Sequence, residues 1–271
     1  MKTLRFLLLC CILIAFSAQV NAQKHEYGGW IGISQYYGDL NTSFSMKDLR
    51  PGGGLYYKYV LGEYIQLRGG ANFGMIAFED ANSSKTYQLA RNLSFRSILI
   101  EVAGVVEFNF RRFEPGHKRY TSTPYLALGL SFVYFNPQAR FNDQWVNLND
   151  LGTEGQQIGD LTGRSPYSKI QPAIPIGIGY KYYVGNNYTV GVEAMYRFVF
   201  TDYIDDVSTQ FVNDNILGNG TPTELLGDRS GEVGQEIGEA GRQRGNSVDN
   251  DAFVFFGVTL TRTIFRVYCP K

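Results

Sequence analysis

The chain has 271 residues, with 25 basic and 25 acidic side chains and a formal net charge of zero. That length makes one large domain or two small ones, and the neutral balance excludes the basic stripe of a nucleic-acid binder. Charged residues make up only 18%, against about 25% in a typical soluble domain, while 19 Tyr, 19 Phe and 31 Gly favour β-structure.

The N-terminus reads MKTLRFLLLCCILIAFSAQVNA. Lys2 and Arg5 form a basic flank, Phe6–Phe16 an apolar run, and Val20-Asn21-Ala22 a small-residue cleavage site. Residues 1–22 therefore read as a signal peptide, and residues 23–271 as the mature chain. An N-terminal anchor is disfavoured because the run falls short of the ~20 apolar residues that span a bilayer. A lipoprotein signal is disfavoured because Cys10 and Cys11 lie inside the apolar run and Leu9 stands where a small residue belongs. Cys269 is then the single cysteine of the mature chain, which excludes an internal disulfide.

Eight segments alternate with period two, each giving one apolar face and one small or polar face. The first, 27–37, sets Tyr27, Ile31 and Ile33 against Gly28, Trp30, Gly32 and Ser34. The second, 51–61, sets Leu55, Tyr57 and Tyr59 against Gly54, Tyr56 and Lys58. The third, 64–78, sets Ile65, Leu67, Ala71 and Phe73 against Gln66, Arg68, Gly70 and Asn72. The fourth, 98–110, sets Ile98, Ile100, Val102, Val106 and Phe108 against Glu101, Ala103, Glu107 and Asn109. The fifth, 124–135, places Leu126, Leu128, Leu130 and Phe132 opposite Ala127, Gly129 and Ser131. The sixth, 171–183, places Ile174, Ile176, Ile178 and Tyr180 opposite Ala173, Gly177, Gly179 and Lys181. The seventh, 188–201, places Val190, Val192, Tyr196 and Phe198 opposite Thr189, Gly191, Glu193 and Arg197. The eighth, 252–265, places Val254, Phe256, Val258 and Leu260 opposite Phe255, Gly257, Thr259 and Thr261.

Aromatic residues gather at the strand ends, among them Tyr27, Tyr64, Phe110, Tyr134, Tyr182 and Phe200. The connections alternate between short (61–63, 184–187, with 111–123 moderate) and long (38–50, 79–91, 136–169, 204–250). Apolar bands with aromatic girdles, short turns at one end and long loops at the other are the pattern of an outer-membrane barrel. The predicted fold is all-β: an eight-stranded antiparallel transmembrane β-barrel with long extracellular loops and short periplasmic turns, its apolar faces against outer-membrane lipid. A soluble sandwich or lipocalin-like barrel is the alternative, disfavoured because soluble barrels turn their apolar residues inward. Pro172 and Pro175 each remove a ladder donor from the sixth strand, so a late start or a bulge is expected there.

The predicted interior carries Lys58, Arg68, Glu101, Glu107, Lys181, Glu193 and Arg197. Ions at such depth need partners. They are expected to form a salt-bridged plug, with Arg68 facing Glu101 across consecutive strands. A conducting pore is disfavoured because eight strands leave room only for side chains. His25 and His117 belong to no nucleophile motif, no G-x-S-x-G is present, and no Cys or His pair has metal-ligand spacing, so no enzyme, cofactor or small-molecule substrate is expected. Asp202, Asp205, Asp206, Asp249 and Asp251 gather at one rim. Loop acids making Asx-turns explain them more simply than Ca²⁺ ligation, and no metal is assigned. The two longest loops are too long for mere connections and are expected to bind a partner or to move.

Three phrases carry a resemblance: YYGDLN (36–41), KYYVGNNYTVGVEAMYRFVFTDYIDDVS (181–208) and RGNSVDNDAFVFFGVTL (244–260). Together they resemble the PorG-like outer-membrane proteins of the Bacteroidota type IX secretion system, over most of the mature chain. The resemblance implies a cell outer-membrane barrel associated with a periplasmic ring made of a lipoprotein and its partner. It also implies a role in protein export and, in gliding species, in motility, without catalysis. Under it, the tail RVYCPK after the last strand lies in the periplasm, and Cys269 is expected to form a disulfide with a periplasmic partner, the alternative being a free or buried thiol. The competing function is a stand-alone porin-like or adhesin-like barrel acting through its surface loops. A barrel lipid hydrolase or acyltransferase is disfavoured by the lack of a Ser–His arrangement.

Overall fold

A computed structural model describes residues 24–41 and 46–265. The signal segment 1–22 and Cys269 lie outside the described residues. Eight long strands form the wall: β1 (Lys24–Tyr37), β2 (Arg50–Val60), β3 (Ile65–Glu79), β4 (Ser94–Asn109), β5 (Ser122–Phe141), β7 (Ile170–Gly185), β8 (Tyr188–Val199) and β9 (Ala252–Phe265). A ninth, β6 (Gln144–Asn147), is a short flap hydrogen-bonded to the far end of β5. Every wall strand pairs antiparallel with its sequence neighbour, and β1 pairs with β9 to close the ring. The ring is a closed eight-stranded antiparallel barrel, and closure leaves no edge with unpaired backbone groups.

Alternation sorts the side chains as the period-two pattern requires. Ile31, Leu55, Val102, Leu130 and Phe132 face outward, with Ile31 and Leu55 about three-quarters exposed, whereas Lys58, Glu101, Glu107 and Ala127 are buried inside. So much contiguous exposed apolar surface is foreign to a soluble monomer and is the pattern of a barrel wall built to face lipid. Aromatic rings rim the belt: Tyr27, Phe108, Phe110, Tyr182 and Tyr188 toward the short turns, and Tyr134, Phe198 and Phe200 toward the long loops.

The turns carry their own chemistry. Asn186 and Asn187 both have φ near +50° to +67°, the geometry of a two-residue hairpin matched to strand twist. Asn142 and Asp143 repeat it between β5 and β6, at φ 47° and 63°.

Strand β7 corrects the expectation raised by its prolines. It begins at Ile170, before both of them, and keeps one register with β5 on either side of them: Leu128 opposite Ile176 and Ser131 opposite Ala173. Only the pairing of Gly129–Leu130 with Ile174–Pro175 is missing from that seam, while Pro175 stays paired with Arg197 on the β8 side. The loss is thus confined to one side of one strand, and the register shift of β7 falls instead at Tyr183/Gly185, beside its turn.

Candidate functional site

The lumen has two layers. Toward the short turns it is ionic. Glu107, fully buried on β4, takes Lys58 Nζ of β2 at 2.8 Å, Lys181 Nζ of β7 at 3.1 Å and Arg68 Nη1 of β3 at 3.3 Å. Arg68 reaches across to Glu193 Oε2 on β8 at 2.7 Å, and Tyr125 donates its hydroxyl to the same oxygen at 2.8 Å. Lys181 also donates to Gln66 Oε1 at 2.6 Å. A second pair lies nearer the middle, where Arg197 Nη2 meets Glu101 Oε2 at 3.1 Å. Asn72 donates to the same carboxylate at 2.7 Å and accepts from Trp30 Nε1 at 2.7 Å. The Arg197 guanidinium also lies 4.3 Å from the centre of the Phe255 ring.

All seven sequence-predicted interior charges are buried in the lumen, but their pairing differs from the expectation. Arg68 and Glu101 do not meet. In the β3–β4 ladder Arg68 stands opposite Val105, and Glu101 stands opposite Asn72. Arg68 divides between Glu107 on neighbouring β4 and Glu193 on β8 across the lumen, and Glu101 likewise reaches Arg197 on β8, because side chains in so narrow a ring meet across the lumen as readily as along the ladder. Sequence reading also missed Glu26, buried on β1 opposite Lys58 and hydrogen-bonded by Thr263 Oγ1 at 3.3 Å. Carrying the first strand's alternation one step upstream of Gly28 would have found it. With Glu26, the described residues place four acids (Glu26, Glu101, Glu107, Glu193) and four bases (Lys58, Arg68, Lys181, Arg197) in this part of the lumen, and their formal charges cancel.

The half toward the long loops is apolar inside: Ile76, Phe78, Phe95, Leu99, Val133, Phe135 and Phe253 are almost wholly buried. This core continues upward into a folded cap, made by the two longest loops together with parts of the β1–β2 and β3–β4 loops, through Leu40, Leu93, Leu148, Ile204, Val207 and Leu226. The cap is tied by charge. Arg91 grips Asp80 with two contacts, at 2.8 and 3.0 Å, and donates to the Arg244 carbonyl at 2.9 Å. Arg244 in turn pairs with buried Glu154 at 2.9 Å, whose carboxylate also receives the backbone N–H groups of Ser208 and Thr209.

The rim acids lie under this cap. Asp205 and Asp251 share the Tyr36 hydroxyl at 2.5 and 2.8 Å, and Asp251 also accepts the Ile204 N–H at 2.8 Å. Asp206 accepts from Thr153 and Tyr167 at 2.5 and 2.6 Å. Burial and the neighbouring carboxylates hold both Asp205 and Asp251 well above the usual carboxylate range. Asp202 is pushed up to about 9, first by burial and then by Asp39, Asp205 and Glu154. Asp249, by contrast, sits on the exposed surface and accepts from Asn246 at 2.8 Å. Among the described residues no group of three or more His, Cys, Asp or Glu side chains is arranged to hold a metal ion.

A cavity lined by Trp30, Tyr56, Arg68, Glu193 and Arg197 is the space left between the Glu107 cluster and the Arg197–Glu101 pair, and its volume is about 10 Å³, room for about one water centre. His25 is on β1 against the Tyr57 hydroxyl, and His117 is in the turn after β4, hydrogen-bonded through Nδ1 to the Arg119 N–H at 3.1 Å.

A family model described as a domain of unknown function, DUF6089, matches residues 4–219, and the chain belongs to that family. No curated protein matches the chain. Among solved structures it is similar to Ail, the attachment invasion locus protein of Yersinia pestis, at 8% identity and TM-score 0.43, over 90% of this chain and 100% of that one. It is similar to Neisserial surface protein A at 9% identity and TM-score 0.42, over 89% and 97%. The outer membrane protein OprG from Pseudomonas aeruginosa gives 9% identity and TM-score 0.42, over 90% and 97%.

Proposed function

We propose that this member of a family of unknown function is a non-enzymatic, non-conducting barrel of the cell outer membrane. In this reading it anchors a protein-export machine of the type IX kind and holds a periplasmic ring lipoprotein and its partner in place. The observation that carries the non-conducting part is the filled lumen, whose space between the two ionic clusters is about 10 Å³ and whose far half is packed with apolar side chains beneath a folded cap. A barrel closed in this way works through its two ends and its lipid-facing wall. The export role rests on the three quoted phrases, which extend over both ends of the barrel. Cys269 is the residue proposed to make the periplasmic contact, as an intermolecular disulfide.

The test is a mild-detergent pull-down from native membranes, with and without reductant, on wild type and Cys269→Ser. Recovery of ring components supports the export role, and their loss on reduction or in the variant assigns the contact to Cys269. An isolated barrel with no partner rejects that role. It would favour the second reading, a stand-alone surface protein acting through its loops. What supports the second reading is the cap itself: a loop structure with its own buried ion pairs and apolar core exceeds what a connection requires.

A further inference from the structure

The outer wall changes character just above the lipid belt, on the side of β3, β4 and the β5–β6 flap. Two open cavities adjoin there, of about 250 and 300 Å³, sharing Glu79, Ser94 and Trp145. Arg50 and Arg96 line the first, together with Met75 and Ala77. The Arg96 guanidinium lies 3.5 Å from the centre of the Trp145 ring, and its Nε donates to Gln138 at 3.2 Å. Neither Arg50 nor Arg96 forms an ion pair among the described residues. Arg140 and Arg229, lining the second cavity, are paired with Asp143 at 2.8 Å and Glu232 at 2.9 Å. The first cavity therefore carries two guanidinium groups without an ion-pair partner among the described residues against one carboxylate, Glu79, and the second is balanced.

Position decides what meets this cavity. The outward residues run from Phe110, just past the end of β4, through Val102 to Ile98, these three exposed and apolar, and Arg96 is the next outward position. At ~3.3 Å per residue that run is ~40 Å of strand, or about 30 Å along the membrane normal at a tilt of roughly 40°. It fills the apolar thickness, so Arg96 stands at the headgroup level, with exposed Trp145 beside it as interfacial tryptophans stand.

We infer that Arg50, Arg96 and Trp145 form a lateral cradle for the phosphorylated sugar headgroup of an outer-leaflet glycolipid. Guanidinium forks match phosphate oxygens, and Glu79 is placed to accept a sugar hydroxyl. The Trp145 ring holds Arg96 in place and closes the side of the cavity. The inference rests on the outer-membrane reading with the long loops outward.

The test places the purified mature chain in phosphatidylcholine nanodiscs containing a small fraction of bis-phosphorylated lipid A, or of the same lipid dephosphorylated, and counts retained glycolipid by native mass spectrometry. Wild type is expected to keep the phosphorylated lipid and release the dephosphorylated one. Arg50→Gln/Arg96→Gln is expected to lose retention by roughly tenfold or more, while Arg262→Gln, near the opposite rim beside Tyr188, keeps it. Heat-modifiable migration verifies that each variant is a closed barrel. Equal retention by wild type and the double variant, equal retention of both lipids, or displacement by millimolar inorganic phosphate alone overturns the cradle and leaves the barrel reading standing. A chain that inserts into no bilayer overturns both.

Discussion

Glu107→Gln removes one negative charge from the centre of the ionic plug and keeps the side-chain volume. The amide would face Lys58 Nζ, held at 2.8 Å, with Lys181 and Arg68 close behind at 3.1 and 3.3 Å. Stripping one partner from a buried ion pair costs roughly 3–5 kcal/mol, because the remaining charge stays desolvated. Three cations lose a partner here, but two keep another acceptor: Arg68 retains Glu193 at 2.7 Å and Lys181 retains Gln66 at 2.6 Å. Most of the cost therefore falls on Lys58, and the expected loss is about 3–4 kcal/mol. Reversible urea unfolding of the barrel in lipid vesicles reads it as a lowered midpoint at unchanged slope. Adding Lys58→Met should recover about 2 kcal/mol, since the stranded ammonium is then gone as well. A single-variant loss below about 1 kcal/mol, or no recovery in the double variant, would refute the view that the plug is held by mutual neutralisation.

Other expectations follow from different parts of the wall and the cap. A Cβ on Gly32 would lie 1.9 Å from the Phe256 carbonyl oxygen across the β1–β9 seam, so Gly32→Val should abolish the heat-modifiable closed form. Gly104→Ala, with nothing within 4 Å of the added carbon, should preserve it. Val102→Arg should destabilise the barrel in bilayers by ~2–4 kcal/mol if that position faces lipid near mid-depth, whereas a water-exposed site would change by under about 0.5 kcal/mol. The cap should loosen as pH rises. Burial pushes Asp202 up to about 9 and Asp39 and Asp206 up to about 6, against about 3.9 in the unfolded chain. The folded cap thus binds more protons than the unfolded one, and its stability is full below about pH 4 and falls through about 6 and then about 9. Hydrogen exchange over residues 200–251, corrected for intrinsic rate, should show stronger protection at pH 5.5 than at pH 9, and the reverse order would refute this.

The wall was legible because its signal is local. A period of two over a dozen residues determines which side chains face which medium, and Lys58, Arg68, Glu107 and Lys181 could be placed inside from their own strands. Partner choice was not legible. Arg68 on β3 pairs with Glu193 on β8, and no ladder register connects those two strands. Glu26 escaped notice because Glu26, Gly28 and Trp30 form an unremarkable polar–small–aromatic series. The apolar upper lumen was hidden for a related reason: Ile76, Phe95, Leu99 and Phe253 interrupt the small-and-polar inner pattern near the strand ends, where alternation fades into loop. The cap leaves no periodic trace at all. Its helices, such as Thr86–Arg91 and Pro222–Gly227, are only six residues long, and it is held by Arg91–Asp80 and Arg244–Glu154, pairs that sequence spacing does not announce.

The most direct test of an apolar exterior in lipid uses tryptophan as a depth probe. The chain has two tryptophans, Trp30 and Trp145. Trp145→Phe leaves Trp30, which is 4% exposed within the lumen, and Val102→Trp then adds one ring on the outer wall. In vesicles with brominated acyl chains, the account predicts strong quenching of the added tryptophan and little of Trp30, with aqueous iodide reaching neither. Iodide quenching of the added ring without bromolipid quenching would place that wall in water and contradict the account.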